Sequence, residues 1–267
     1  MNDHDTSSVP TGYATNLFDL RERVAIVTGA ASGLGAAIAT GYAQLGVHVV
    51  LADINTDGAQ DTFESIRTQG GVAEILCLDV TDKDQCDTAA SEVYQRLGHV
   101  DILVNSAGSA HRSPAESFPE SKLDYIIDLN LKGTYIPCQS FGAIMLKQNR
   151  GNIINIGSIG SHIAYPWASA YLAAKGGVLQ LTRALALEWR DRGVRVNAIG
   201  PTLMASPMTE AAAHVTSVTS DFIENRMLRP RLGLPRELIG AAVFLASDAS
   251  ELVTGHMLMC DDGYLCG

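Results

Sequence analysis

The 267-residue sequence predicts one α/β domain, a doubly wound parallel sheet of seven strands flanked by helices. Three observations carry this expectation. Short β-branched runs alternate with longer helix-forming stretches, the pattern of repeated βαβ units. The strand runs are apolar throughout rather than alternating, so both faces of the sheet must be covered. No internal repeat, low-complexity linker or shift of composition divides the chain.

Residues 1–20 are polar and read as a flexible arm, without the basic start and apolar run of a secretory signal. The ordered pattern begins at Arg23, and the domain is placed over 21–267. Val24–Thr28 is the first strand, followed by a helix at Leu34–Leu45. Val47–Ala52 and a helix at Asp57–Gln69 form the next unit, then Val72–Leu78 and Asp82–Leu97. Ile102–Asn105 leads into a long helical region around Ser121–Gln148. Asn152–Ile156 precedes a helix over Ser169–Arg190. Val194–Ile199 is the sixth strand, and an irregular stretch fills Pro201–Gly233. A helix at Pro235–Ala246 and a strand at Met257–Cys260 complete the sheet.

Composition narrows the function. With 46% hydrophobic and 18% charged residues the chain has ample material for a core. A formal charge of −10 gives no basic footprint for nucleic acid or an anionic membrane. The five cysteines are odd in number and never stand in a CxxC spacing, so neither a zinc site nor a disulfide framework is expected. A reducing, cytoplasmic setting fits that usage. No apolar run reaches the length of a membrane span. From Gly176 to Leu187 the helix is apolar over most of its circumference, which predicts burial on a second face. A homo-oligomer, with a tetramer as the expected state, would supply it.

After the first strand, Thr28-Gly-Ala-Ala-Ser-Gly-Leu-Gly35 opens directly into a helix. Gly29, Gly33 and Gly35 let the backbone turn tightly and approach a pyrophosphate, whose charge meets the helix N-terminus. The second strand ends at Asp53, where a carboxylate can accept from both ribose hydroxyls of NAD and repel a 2′-phosphate. Read structurally, the same residue is a turn or helix-cap acid. Strand, glycine loop, helix, strand and acid in this order favour NAD as cofactor.

Tyr171 and Lys175 stand at i and i+4 on one helix face. A neighbouring cation stabilises phenolate and would lower the tyrosine pKa, making Tyr171 an acid/base for carbonyl–alcohol interconversion. Ser158 follows a buried strand at its C-terminal end, where open α/β sheets place their ligands.

These motifs, in their order, make the chain resemble the short-chain dehydrogenase/reductase family from Arg23 to Gly263. TGAASGLG at 28–35, Leu78-Asp79-Val80, Asn105-Ser-Ala-Gly108, Asn130 in DLNLKG, Ser158, Tyr171, Lys175, Arg231-Leu-Gly-Leu-Pro235, FLASD at 244–248 and VTGH at 253–256 carry the resemblance. It implies a Rossmann fold and a catalytic tetrad of Asn130, Ser158, Tyr171 and Lys175. Tyr171 would pass the proton, Ser158 orient the substrate oxygen, Lys175 hold the nicotinamide ribose, and Asn130 bind a relay water. The implied cofactor wall comprises Gly29, Ser32, Gly33, Leu34, Gly35, Asp53, Ile54, Asp79, Val80, Asn105, Ala107, Gly108, Tyr171, Lys175, Pro201 and Leu203. Three positions depart from the family pattern: Ser106 replaces an asparagine, Thr202 the glycine of a Pro-Gly pair, and Asp262 a glycine near the C-terminus.

The substrate pocket is placed between Ser109–Phe118, Gly160–Trp167 and a lid around 201–232. His111, Arg112, Ser161, His162, Tyr165 and Glu210 are its polar candidates, and Ser158, His162, Tyr165 and Tyr171 are taken as substrate-binding. Such a rim suits a hydroxyl-rich or acidic substrate, whereas Met204 and Met208 would suit an apolar chain. The expected function is an NAD-dependent dehydrogenase of a secondary alcohol or ketone: a polyol, sugar or sugar acid. The alternative is a 3-oxoacyl-thioester reductase acting on an acyl-carrier protein. A non-enzymatic nucleotide-binding scaffold would predict a broken tetrad, and this one is intact.

Overall fold

Seven strands pair side by side in the computed structural model, which describes residues 9–213 and 227–266. They are β1 (Val24–Thr28), β2 (His48–Asp53), β3 (Val72–Cys77), β4 (Ile102–Asn105), β5 (Gly151–Ile156), β6 (Val194–Pro201) and β7 (Met257–Cys260). Their spatial order is β3-β2-β1-β4-β5-β6-β7, and every neighbouring pair is parallel. The expected doubly wound Rossmann sheet is present. Its order reverses between β1 and β4, the position at which such sheets open a crevice.

The helices are α1 (Tyr13–Asn16), α2 (Gly33–Gln44), α3 (Thr56–Thr68), α4 (Lys83–Leu97), α5 (Glu120–Ile127), α6 (Gly133–Gln148), α7 (Ser169–Trp189), α8 (Pro207–Ala213) and α9 (Ile239–Ala246). The two-residue period of β1 divides the core. Ala25 and Val27 join Ile38 of α2, Ile66 of α3 and Leu245 of α9 on one face. Val24 and Ile26 join Val93 of α4, Phe141 of α6 and Leu185 of α7 on the other. Edge strand β3 is only partly covered, while β1 and β5 are buried along their length.

Two expectations are corrected. The arm expected over 1–20 docks at its C-terminal end: Leu20 is fully buried in the main core, and the Leu17 carbonyl accepts from the Ala249 amide. Burying a leucine side chain contributes about 2 kcal/mol, ample reason for that end to lie down. Residues 1–8 lie outside the described residues. The helical region at Ser121–Gln148 is not continuous; a π-type segment, Asp128–Lys132, separates α5 from α6. Such one-turn widenings concentrate at functional positions, and this one holds Asn130.

Of the lid expected around 201–232, residues 214–226 lie outside the described residues. Its two roots are tied together by a short bridge between Met204 and Gly233. No helix among the described residues is long and apolar enough to cross a membrane.

Candidate active site

The C-terminal ends of β1, β4, β5 and β6 open into a cavity of about 540 Å³. Its cofactor end is built from backbone. Gly29 runs so close to the next strand that a Cβ there would lie 2.8 Å from Ala107 Cα, and one on Gly35 would lie 2.2 Å from the Gly29 carbonyl oxygen. Side chains are excluded at both, which brings the loop and the first turn of α2 together. Thr28 Oγ1 accepts from the amides of Ser106 and Ala107, at 3.1 and 3.2 Å, fixing β4's exit against the loop. Ser32, the residue capping α2, makes no side-chain cap hydrogen bond. The first amides of the helix are thus left without a side-chain acceptor, and their partial positive charge faces a cavity that Gly29, Ser32, Gly33 and Leu34 line.

Asp53 closes this end. Its Oδ2 accepts from the Ala31 amide at 3.0 Å and its Oδ1 from the Asn55 amide at 2.9 Å. The cap of α3 is Asn55, which accepts from Gly58, so Asp53 is not the helix cap. Its carboxylate ties the glycine loop to β2 and lines the cavity beside Ile54. Asp79, Val80, Ala107, Gly108, Pro201 and Leu203 line the same cavity. A side-chain-free cradle, an uncapped helix start and an acid lining the cavity at the end of β2 fit a nicotinamide dinucleotide.

The proton-handling groups stand at the centre. Ser158 is 7% exposed, and its Oγ accepts from the Gly160 amide at 3.0 Å, capping the tight turn Ile159–Ser161. The same hydroxyl hydrogen-bonds both Tyr171 and Tyr165. Lys175 is 5% exposed, donates to the Ile156 carbonyl at 2.7 Å, and places Nζ 5.8 Å from the Tyr171 ring centroid. Asn130 is fully buried; its Nδ2 donates to the Ser109 and Ile126 carbonyls, and its Oδ1 is buried without a hydrogen-bond partner. A Cβ on Gly108 would meet that Oδ1 at 2.8 Å, so glycine keeps the space beside it open.

Electrostatics correct one expectation. Burial raises the Tyr171 phenol above its ordinary value, while the Ser158 hydrogen bond and the Arg112 charge oppose that rise. The lowering expected from Lys175 is absent. Burial also draws Lys175 down to about 8, and its donated hydrogen bond goes to β5.

The substrate end is made of loops cross-tied by side chains. The Ser113 amide donates to the Trp167 carbonyl, and His111 meets Phe118 edge-on at 5.4 Å. Arg112 Cζ lies 5.9 Å from the Tyr165 ring centroid, and both residues line the cavity with His111. His162 is not brought in. It is exposed and absent from the lining, because the turn at Ile159–Ser161 carries the chain outward before Tyr165 returns. Ser161 and Glu210 also lie off the cavity; Ser161 instead donates to the Lys175 carbonyl. Gly35 and Asn105 sit behind the wall, where Asn105 donates to buried Asn155.

The family model described as enoyl-(acyl carrier protein) reductase matches residues 29–265. The chain belongs to the short-chain dehydrogenase/reductase family. A D-threitol dehydrogenase of Mycolicibacterium smegmatis is 39% identical over 92% of this chain and 94% of its own length. A gluconate 5-dehydrogenase of Gluconobacter oxydans is 35% identical, over 93% and 96% respectively. The solved gluconate 5-dehydrogenase of Burkholderia cenocepacia, in complex with NADP and tartrate, superposes with a TM-score of 0.90 at 33% identity, covering 95% and 99%. As a short-chain dehydrogenase/reductase, the protein is an oxidoreductase that binds a nicotinamide cofactor.

Sequence reasoning missed several members of this site. Tyr125 and Leu129 line the cavity, yet in sequence they are ordinary members of a helical pattern. The Thr202 substitution needs no glycine conformation; its amide donates to the Cys260 carbonyl, joining the ends of β6 and β7.

Proposed function

We propose that the protein is an NAD-dependent dehydrogenase of a polyol, sugar or sugar acid, interconverting a secondary alcohol and its ketone. The observation that carries this reading is a single cavity with Ser158, Tyr171 and Lys175 at its centre, Asp53 at one end and Arg112 at the other. The bound cofactor would supply hydride transfer at its nicotinamide ring. Tyr171 would pass a proton to or from the substrate oxygen, and Ser158 would orient that oxygen through the hydroxyl it already shares with Tyr171. Lys175 would turn from the Ile156 carbonyl towards the cofactor ribose, and Asn130 Oδ1 would hold a water that returns protons to solvent.

Asp53 supports NAD over NADP, since a carboxylate lining the cavity at the end of β2 would repel a 2′-phosphate bound there. Arg112 supports an acidic or hydroxyl-rich substrate. The acyl-carrier-protein alternative loses its basic patch. Arg229 pairs with Asp262 and Arg231 with Glu237, which leaves those guanidiniums neutralised in a chain of net charge −10.

The outer face of α7 supports a homotetramer. Ala173, Gly176, Ala184 and Leu187 fall on one stripe, Leu187 is 71% exposed, and Gly176 has no neighbour within 4 Å of its would-be Cβ. Five free thiols support a cytoplasmic setting. The test is a panel of polyols, sugar acids and 3-hydroxyacyl thioesters with NAD or NADP, read at the absorbance of the reduced nicotinamide. Turnover of a polyol or sugar acid with NAD is expected. Turnover with NADP alone, or only of thioesters, overturns the reading.

A further inference from the structure

Asp262 stands where the family pattern has glycine, and its backbone is left-handed at φ +53. Aspartate tolerates that region better than most residues, but glycine adopts it freely. What the side chain adds is a clamp. Oδ2 accepts from the Arg229 amide at 2.8 Å, and Oδ1 from Arg229 Nε at 2.7 Å with Nη2 at 2.5 Å. One carboxylate therefore holds both the backbone and the guanidinium of a residue 33 positions away.

The clamped segments are not distant from the site. Met227, two residues before Arg229, packs with Ile159 and Tyr264 in a small cluster apart from the two main cores. Tyr264, two residues after Asp262, is 1% exposed. The turn between them is braced by Asp261, whose carboxylate accepts from the Gly263 and Leu265 amides. Ile159 lines the cavity, and its turn is capped by the Ser158 hydroxyl. A continuous line of contact thus runs from Arg229 and Asp262, through Met227 and Tyr264, to the wall carrying Ser158.

We propose that Asp262 is a positioning residue for the substrate: by clamping Arg229 it locks the C-terminal turn and the Met227 segment behind Ile159, and so sets the shape of the cavity's substrate end. Global stability is a poor explanation for the pair. Arg229 is 67% exposed while Asp262 is 18% exposed, so solvent screens the charge attraction on the arginine side and limits what the pair contributes to folding. The packing of Met227 and Tyr264 runs to Ile159, beside Ser158, whereas the glycine loop is held by Asp53, so the clamp is expected to act on substrate more than on cofactor. The proposal rests on the cavity being a dehydrogenase site.

The experiment compares Asp262→Gly, Asp262→Asn, Arg229→Ala and the Asp262→Gly/Arg229→Ala double variant. Glycine relieves the left-handed backbone while removing the clamp; asparagine keeps the tolerance and one acceptor. Asp262→Gly and Arg229→Ala should each raise the substrate KM about fivefold or more, with kcat and the cofactor Kd within about twofold. Asp262→Asn should fall between wild type and glycine, and the double variant should be no worse than either single one. An unchanged KM, additive single effects, or a parallel loss of kcat and cofactor affinity overturns the proposal. Amide hydrogen exchange on the cofactor-bound protein reads the clamp without any substrate. Asp262→Gly should speed exchange at 159–163 and 261–266, and unchanged exchange there overturns the proposal. Absence of turnover by wild type over the whole alcohol panel, with altered exchange in the variant, would fail the dehydrogenase reading and leave the clamp standing.

Discussion

The two ends of the cavity are built from different materials. At the cofactor end the surface is backbone: glycines pressed against neighbouring strands, the uncapped start of α2, and an aspartate bonded to the loop it faces. At the substrate end it is side chain: Arg112 over Tyr165, His111 against Phe118, Tyr264 behind Ile159. A backbone surface can serve any dinucleotide-binding relative, because it reads phosphate and ribose. A side-chain surface is free to change substrate without disturbing the sheet that carries it.

Tyr171 stands where the two ends meet, and its removal should separate chemistry from binding most sharply. Tyr171→Phe is expected to lower kcat by about 10³-fold, the scale of a lost acid/base, with cofactor affinity unchanged. Stopped-flow turnover beside nicotinamide fluorescence titration checks this. Near-normal turnover would move the proton-transfer role elsewhere in the cavity.

Lys175 tests the burial of that centre. Its folded pKa of about 8 lies below its ordinary value of 10.5, because burial disfavours the charged form. Between those values the unfolded chain binds the proton and the folded one does not, so the contribution of Lys175 to stability rises as pH increases from 8 towards 10. Below pH 8 both states are protonated and the full cost of burying the charge is present. Buried Cys86 and Cys138, both pushed up to about 12, act in the opposite sense over the same window, so the test is a difference between two proteins: wild type relative to Lys175→Met should gain about 2–3 kcal/mol from pH 8 to pH 10. Denaturant unfolding of both proteins at pH 8 and pH 10 measures it.

Asp53→Asn probes the backbone-built end. Asparagine keeps one of the two acceptors that hold the Ala31 and Asn55 amides and turns an NH2 towards the other, so the charge is lost together with one of the two loop bonds. The kcat/KM with NAD should fall about thirtyfold as charge-assisted ribose bonds weaken, and the value with NADP should rise. Equal loss with both cofactors would mean that Asp53 serves the loop alone.

How much of this was legible follows the same division. Strands buried on both faces announce themselves as unbroken apolar runs, and β1 and β4 lie where those runs predicted. The cofactor end was legible because backbone approach demands glycine at fixed spacing. Leu20 was misread because a single apolar residue in a polar stretch carries no period. His162 was misread because proximity in sequence to Ser158 says nothing of a three-residue turn that points the chain away. The Asp262–Arg229 pair joins positions that no local pattern connects. The direction of the Tyr171 shift was missed because desolvation depends on packing from several elements at once.

Arg112 offers the smallest expected effect and the finest test of the substrate end. It has two possible actions. It can hold an acidic substrate's carboxylate, or it can favour the phenolate of Tyr171, since its charge opposes the rise that burial imposes there. Arg112→Leu keeps an apolar side chain against Tyr165 and removes the charge. If carboxylate recognition dominates, kcat/KM for a sugar acid should fall about tenfold while an uncharged polyol of equal length is unaffected. If the electrostatic action on Tyr171 dominates, both substrates should lose activity together. The pH profile of kcat/KM should then move to higher pH, because removing a cation raises a phenol pKa. The first pattern is expected, since Arg112 lines the cavity itself whereas Ser158 hydrogen-bonds Tyr171 directly and supplies the larger opposition to burial.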